Sequence, residues 1–310
     1  MLPIFSIQHY YLPDAQRLMP DAQFYKFTTF DVSSSIIIMQ LIREPLLYRS
    51  SPLLKILSLL VIILVSLLFT LIIGLVSGYL FFGSGIMDYI KDGGSLTSPE
   101  MLPMLKYLQV INTLGLFVFP PLLFALLVSR KPGGYLKLNI SPALVTTILG
   151  VAVIVVILPF LHWTASINEM MELPEWLAGI QQWMKNSEDQ ARELTELFLA
   201  TTSFTGFAVN LLMIAILPAI GEDLLFRGVI LRLLREMTKN SHLAVLISAF
   251  LFSALHLQFY GFLPRFILGV FLGYLFVWSR SIWVPVLVHL INNGIAVVAA
   301  WLYERGSIST

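Results

Sequence analysis

Apolar runs of twenty or more residues recur along this chain, and they dictate its solvent. KILSLLVIILVSLLFTLIIGLVSGYLFF opens the series near residue 55, and FTGFAVNLLMIAILPAI stands in its middle. About 20 such residues in a helix span the roughly 30 Å hydrocarbon layer of a bilayer. In hydrocarbon every backbone polar group must be satisfied within the segment, which leaves helices and closed barrels. Barrel strands alternate apolar and polar residues over about ten positions, whereas these runs are continuous. The expected fold class is therefore all-α, a polytopic transmembrane helix bundle of about seven spans. Composition agrees: 57% of the 310 residues are hydrophobic and 12% charged, against about 25% charged in soluble domains.

The expected spans are about 54–83, 104–129, 140–163, 204–236, 242–258, 263–279 and 282–302. Four regions follow. Residues 1–50 are a polar N-terminal tail and cytoplasmic lead-in, with Met39 standing where a shorter chain would start. Residues 51–165 hold three generic spans. Residues 166–203 form a polar or interfacial helix marked by Trp176 and Trp183. Residues 204–303 hold a four-helix core. FPP at 119–121 predicts a kink, because proline lacks the N–H that a helix needs. Gly269 and Gly273 form a GxxxG pair, which lets helices approach closely.

Basic residues cluster in alternate loops. Arg43, Arg49 and Lys55 precede the first span; Arg130, Lys131 and Lys137 follow the second; Arg232, Arg235 and Lys239 follow the fourth; Arg280 follows the sixth. All four clusters fall on one side of a seven-span chain, so the positive-inside rule expects a cytoplasmic N-terminus in a multi-pass membrane protein, of the inner or plasma membrane in a bacterium. The net charge of +1 gives no footprint for nucleic acid, and the absence of cysteine removes thiolate chemistry.

The last four spans carry few ionisable or amide groups. GEDLLFRG (221–228) holds Glu222, Asp223 and Arg227; FSALH (252–256) holds His256; HLINN (289–293) holds His289, Asn292 and Asn293. A charge at the bilayer centre costs about 2.5–3.5 kcal/mol on insertion scales, so such residues are functional candidates. At about 1.5 Å per residue, Glu222, His256 and His289 reach a common depth, which the count of residues puts near mid-membrane or slightly to its cytoplasmic side. Asp223 and Arg227 are four apart and can pair, which leaves Glu222 free. His289 and Asn293 share a helix face, and Asn292 points elsewhere.

A carboxylate in an apolar cavity suits a general base, an amide such as Asn293 can donate to an oxyanion, and one Glu with two His is a zinc-ligand set. The constellation fits water activation and acyl hydrolysis. The plainer alternatives are a structural ion cluster with packed histidines, a non-catalytic membrane scaffold or immunity protein, and a transporter. The transporter expects internal repeats, and none is evident. Phe226 and Phe252 read as packing residues, and His9, His162 and His242 as unrelated to the cluster.

The three motifs, in this order and each in its own apolar run, resemble EExxxR, FxxxH and HxxxN of the CPBP family, the CAAX-protease and bacteriocin-processing intramembrane proteases related to Rce1. The resemblance covers about residues 204–300. It implies an intramembrane endopeptidase acting on a membrane peptide or lipidated protein, with prenylated CAAX-type substrates as the family archetype. It implies that Glu222 activates water with His256, that His289 and Asn293 hold the oxyanion, and that Arg227 steadies the acidic pair. Two mechanisms come with it: zinc hydrolysis, with Glu222, His256 and His289 as ligands, and metal-free glutamate catalysis. The family's second glutamate is Asp223 here, a departure that ranks this position below Glu222.

Overall fold

The computed structural model describes residues 44–91 and 101–308. The N-terminal tail, Met39, Arg43 and His9 lie outside them. Nine helices of seven residues or more occur among the described residues, and no strand. They are α1 (Pro52–Phe82), α2 (Gly85–Lys91), α3 (Leu102–Val128), α4 (Leu144–Glu169), α5 (Ala178–Leu199), α6 (Phe204–Thr238), α7 (Ser241–Ala254), α8 (Phe262–Ser279) and α9 (Trp283–Glu304). Pro45–Thr310 forms one compact unit.

Six of these helices are long and apolar enough to cross a membrane: α1, α3, α4, α6, α8 and α9. The seventh expected span is shorter. Its helix, α7, covers 14 residues, or about 21 Å, and stops before His256. Leu257 then takes a left-handed φ of 54°, which a non-glycine residue adopts only under constraint. The chain turns there and returns along α7 as α8, with His242 Nδ1 2.7 Å from the Tyr274 hydroxyl at the far end of the hairpin.

The bundle is sorted for lipid. On α1 most leucines and valines point outward, while Leu59, Ser66, Thr70, Gly74 and Gly78 are buried against neighbouring helices. Small residues let membrane helices pack closely where apolar burial offers no advantage over lipid. Ser51 caps α1 by accepting from Leu54 N, and Pro52 stands in the first turn where no N–H is needed.

Prolines mark where backbone bonding shifts. In α3 the turn Leu114–Val118 widens to π-helical spacing just before Pro120 and Pro121. The expected kink is thus a wide turn that absorbs two missing N–H groups. It presses Phe117 and Val118 against α6 at Gly221, where a Cβ would stand 2.8 Å from Phe117 Cβ. Glycine at 221 is what allows this approach next to Glu222. Helix α6 holds two wide turns of its own, Leu211–Ile216 and Leu224–Ile230.

One end of the bundle gathers Lys55, Tyr135, Arg232, Arg235 and Glu236, tied by a 3.0 Å ion pair between Lys55 and Glu236. Beneath it lies the largest apolar cluster, which includes Phe124, Leu224, Leu225, Phe226, Leu231 and Phe276. At the opposite end α5 lies over the α7–α8 turn. Trp183 packs on Phe259 with ring centroids 5.2 Å apart, Glu188 accepts from Tyr260 N, and Lys106 donates to Phe198 O and Asn210 Oδ1.

Candidate active site

The second wide turn of α6 organises the acidic pair. Asp223 and Arg227 are fully buried, and Asp223 Oδ1 lies 3.1 Å from Arg227 Nη1. Arg227 also donates through Nη2 to Gly269 O at 3.4 Å and sits 4.6 Å over the Phe252 ring. A Cβ at 269 would meet Ala249 and Phe252 at 3.1 Å, so glycine there brings the carbonyl of α8 within reach. The GxxxG pair therefore does more than pack. In the same wide turn the Phe226 carbonyl accepts from Leu231 N and also from the Ser248 hydroxyl, at 3.2 Å.

His289 stands between both carboxylates. Its Nδ1 is 3.2 Å from Asp223 Oδ2, and its Nε2 is 3.8 Å from Glu222 Oε2. An ionised carboxylate only accepts, so Nδ1–H donates to Asp223 and Nε2 is left facing Glu222. His256 is set the same way by a different partner. Its Nδ1 lies 2.8 Å from Phe252 O; a carbonyl accepts, so Nε2 is again the free nitrogen. Carboxylate and carbonyl partners that fix an imidazole's tautomer are the usual means of aiming its other nitrogen.

Glu222 is the carboxylate held most loosely. It is buried, yet its one ion-pair contact among the described residues is the 3.8 Å approach of His289. Asn293 donates through Nδ2 to Ile214 O at 3.3 Å, a carbonyl in the first wide turn of α6. Its Oδ1 accepts from Asn292 Nδ2 at 3.1 Å. An amide carries two N–H groups, so Asn293 keeps one to offer.

Glu222, His256, His289 and Asn293 line one cavity of about 550 Å³. Asp223 and Arg227 stand behind this wall rather than in it. Asn292, expected to point elsewhere, lines the cavity too. Phe252 is both packing and framework: its carbonyl holds His256, and its ring lies 5.1 Å from the His256 ring and 5.9 Å from the His289 ring.

Three contributions had no counterpart in the sequence reading. Arg265 lines the cavity from α8 and donates to the backbone and side-chain oxygens of Gln258, so it straps the turn that follows His256. Its sequence signal was a lone charge at the start of an apolar run. Gln109 reaches the cavity from α3, and Ala191, Leu194, Thr195 and Phe198 line it from α5. The apparently interfacial helix α5 is part of the site's wall.

The side of the opening also differs from expectation. Depth counted from the basic loops puts the site near mid-membrane or slightly to its cytoplasmic side, with a cavity open to that side. In the structure the apolar cluster around Leu224, Leu225 and Phe226 closes the basic end, and the cavity runs from Glu222 toward α5 and Gln258 at the other end. Counting residues gave depth along each helix but not which end was filled.

Among the described residues, no group of three His, Asp or Glu side chains is arranged to hold a metal ion. Asp223 is spent on Arg227 and His289, and Glu222 lies 3.8 Å from the nearest imidazole nitrogen of His289.

Residues 204–295 match the family model of the type II CAAX prenyl endopeptidases, Rce1-like. That stretch runs from the start of α6 into α9 and contains all three motifs, in a polytopic helical membrane protein. No curated protein and no solved structure matches the chain.

Proposed function

We propose, from the match of residues 204–295 to the Rce1-like family model, that this membrane protein is an intramembrane endopeptidase whose general base is Glu222. The observation that carries the proposal is a loosely held carboxylate facing a polar cavity beside two imidazoles whose tautomers are fixed. Water enters between Glu222 and His256. Glu222 takes one proton, Nε2 of His256 accepts the other as a hydrogen bond, and the oxygen attacks the scissile carbonyl carbon. The remaining N–H of Asn293 donates to the developing oxyanion, while Nε2 of His289, which carries no proton, faces Glu222. The tetrahedral adduct collapses by breaking the C–N bond, and Glu222 delivers its proton to the leaving amine. Asp223 and Arg227 keep His289 in register.

The substrate is a membrane-associated or lipidated peptide. An apolar groove of about 520 Å³ between α6 and α9, lined by Leu211, Leu290 and Gly294 among others, adjoins the Asn293 wall and supports a lipid-facing substrate. The test is a comparison of cellular peptide termini between a strain carrying the wild-type chain and one carrying Glu222→Ala at matched membrane levels. New termini confined to the wild type are expected. Identical termini, with a variant that still complements a deletion, favour a non-catalytic scaffold.

The orientation follows the basic loops. With Arg130, Arg235 and Arg280 in the cytoplasm, the cavity faces the opposite compartment through α5. The chain has no cysteine, so single cysteines report cleanly. A membrane-impermeant maleimide added to intact cells should label Gly179→Cys on α5, and should label Met237→Cys near the end of α6 only after permeabilisation. The reverse pattern places the cavity on the cytoplasmic side.

A further inference from the structure

A second polar pocket lies at the end of the bundle away from the cavity and shares no residue with it. It encloses about 420 Å³ and is lined by Lys137, Arg232, Arg235 and Arg280 with Leu231, Phe276 and Val277. Four cations and no carboxylate form this lining. The nearest acid, Glu236, is bound to Lys55 at 3.0 Å. Arg232 is clamped with its guanidinium 4.3 Å over the Tyr135 ring, and its Nη1, buried from solvent, has no hydrogen-bond partner. Burial pushes the Tyr135 phenol up to about 12, so this neighbour brings no negative charge. Lys137 and Arg280 both adopt left-handed backbone, at φ 60° and 56°.

We propose that this pocket binds a phosphate anion, with the phosphodiester headgroup of an anionic phospholipid as its source. Converging guanidinium groups suit phosphate oxygens, which they meet in paired hydrogen bonds. The site stands at the basic end, where α6 and α8 leave the apolar layer, and its remaining wall of Leu231, Phe276 and Val277 suits the start of an acyl chain. Basic pockets between membrane helices hold lipid headgroups in this manner.

The experiment uses the full chain in detergent micelles doped with equal amounts of phosphatidylglycerol and phosphatidylcholine, read by native mass spectrometry. Wild type is expected to retain phosphatidylglycerol preferentially. Arg235→Gln/Arg280→Gln, two exposed positions whose change leaves the core untouched, should lower that retention by roughly ten-fold or more. Lys185→Gln/Arg192→Gln, on α5 at the other end, should leave it unchanged. Added inorganic phosphate separates the sources: phosphatidylglycerol that stays bound identifies the lipid headgroup, and its displacement by millimolar phosphate identifies the free anion at the same site. Equal retention of the two lipids by wild type, or equal losses in the two double variants, overturns the proposal.

Discussion

Glu222→Gln lowers turnover by about 10²–10⁴-fold and leaves the thermal unfolding of the purified protein where it was. The two halves of this expectation have separate physical grounds. Glutamine keeps the shape of the side chain but cannot take a proton from water, so the chemical step loses its base. Stability is spared because Glu222 has no close ionic partner among the described residues, with His289 Nε2 at 3.8 Å. The measurement is single-turnover cleavage of a substrate found from the cellular termini, beside a melting curve of each protein. A Gln variant that cleaves at more than about a tenth of the wild-type rate removes Glu222 from the role of base. The same assay with a chelator bears on the zinc reading. Unchanged turnover fits the route through Glu222 alone; loss that zinc reverses gives Glu222, His256 and His289 a ligand role.

Arg227→Met is expected to behave in the opposite way and to destabilise the fold by about 3–5 kcal/mol. Its guanidinium is fully buried with Asp223, Gly269 O and the Phe252 ring as its surroundings. Removing it leaves the Asp223 carboxylate in the interior without its cation, and a buried charge that loses its partner costs far more than the pair contributes. The double variant Asp223→Leu/Arg227→Met should therefore recover most of the lost stability, since both charges are then gone and apolar atoms fill similar volume. It should remain inactive, because Asp223 also accepts from His289 Nδ1 at 3.2 Å and no leucine can aim that ring. Denaturation midpoints in detergent and cleavage rates, measured on the same preparations, separate the two effects. A double variant as unstable as Arg227→Met would show that the pair is not the source of the loss.

What the sequence made legible was whatever a run of side chains states locally. Helical class and six of the span positions follow from apolar length alone, and the buried polar residues announced themselves by their rarity. The Asp223–Arg227 pairing followed from spacing of four. What escaped notice depended on neighbours. Helix α7 ends early because the chain bends at Leu257, a leucine with no turn signature. The wide turns of α6 meet Ser248 and Asn293 on other helices, so no local pattern encodes them. Arg265 and the inner face of α5 joined the site through the turn after His256, a contact between segments about 70 residues apart. Spacing alone pairs Asp223 with Arg227, and its second contact, His289, lies 66 residues away.

The apolar cluster of Leu224, Leu225 and Phe226 beneath the buried acids makes the chamber a blind alley. An enzyme that admits water halfway through a bilayer risks becoming a leak for protons and ions, and this one is stoppered directly behind its carboxylates. Under the proposed reaction, a cleaved fragment not held in the groove between α6 and α9 leaves past α5. Departure, and with it the pace of repeated cycles, then rests on how readily that helix yields, and a sluggish fragment left inside bars the next one.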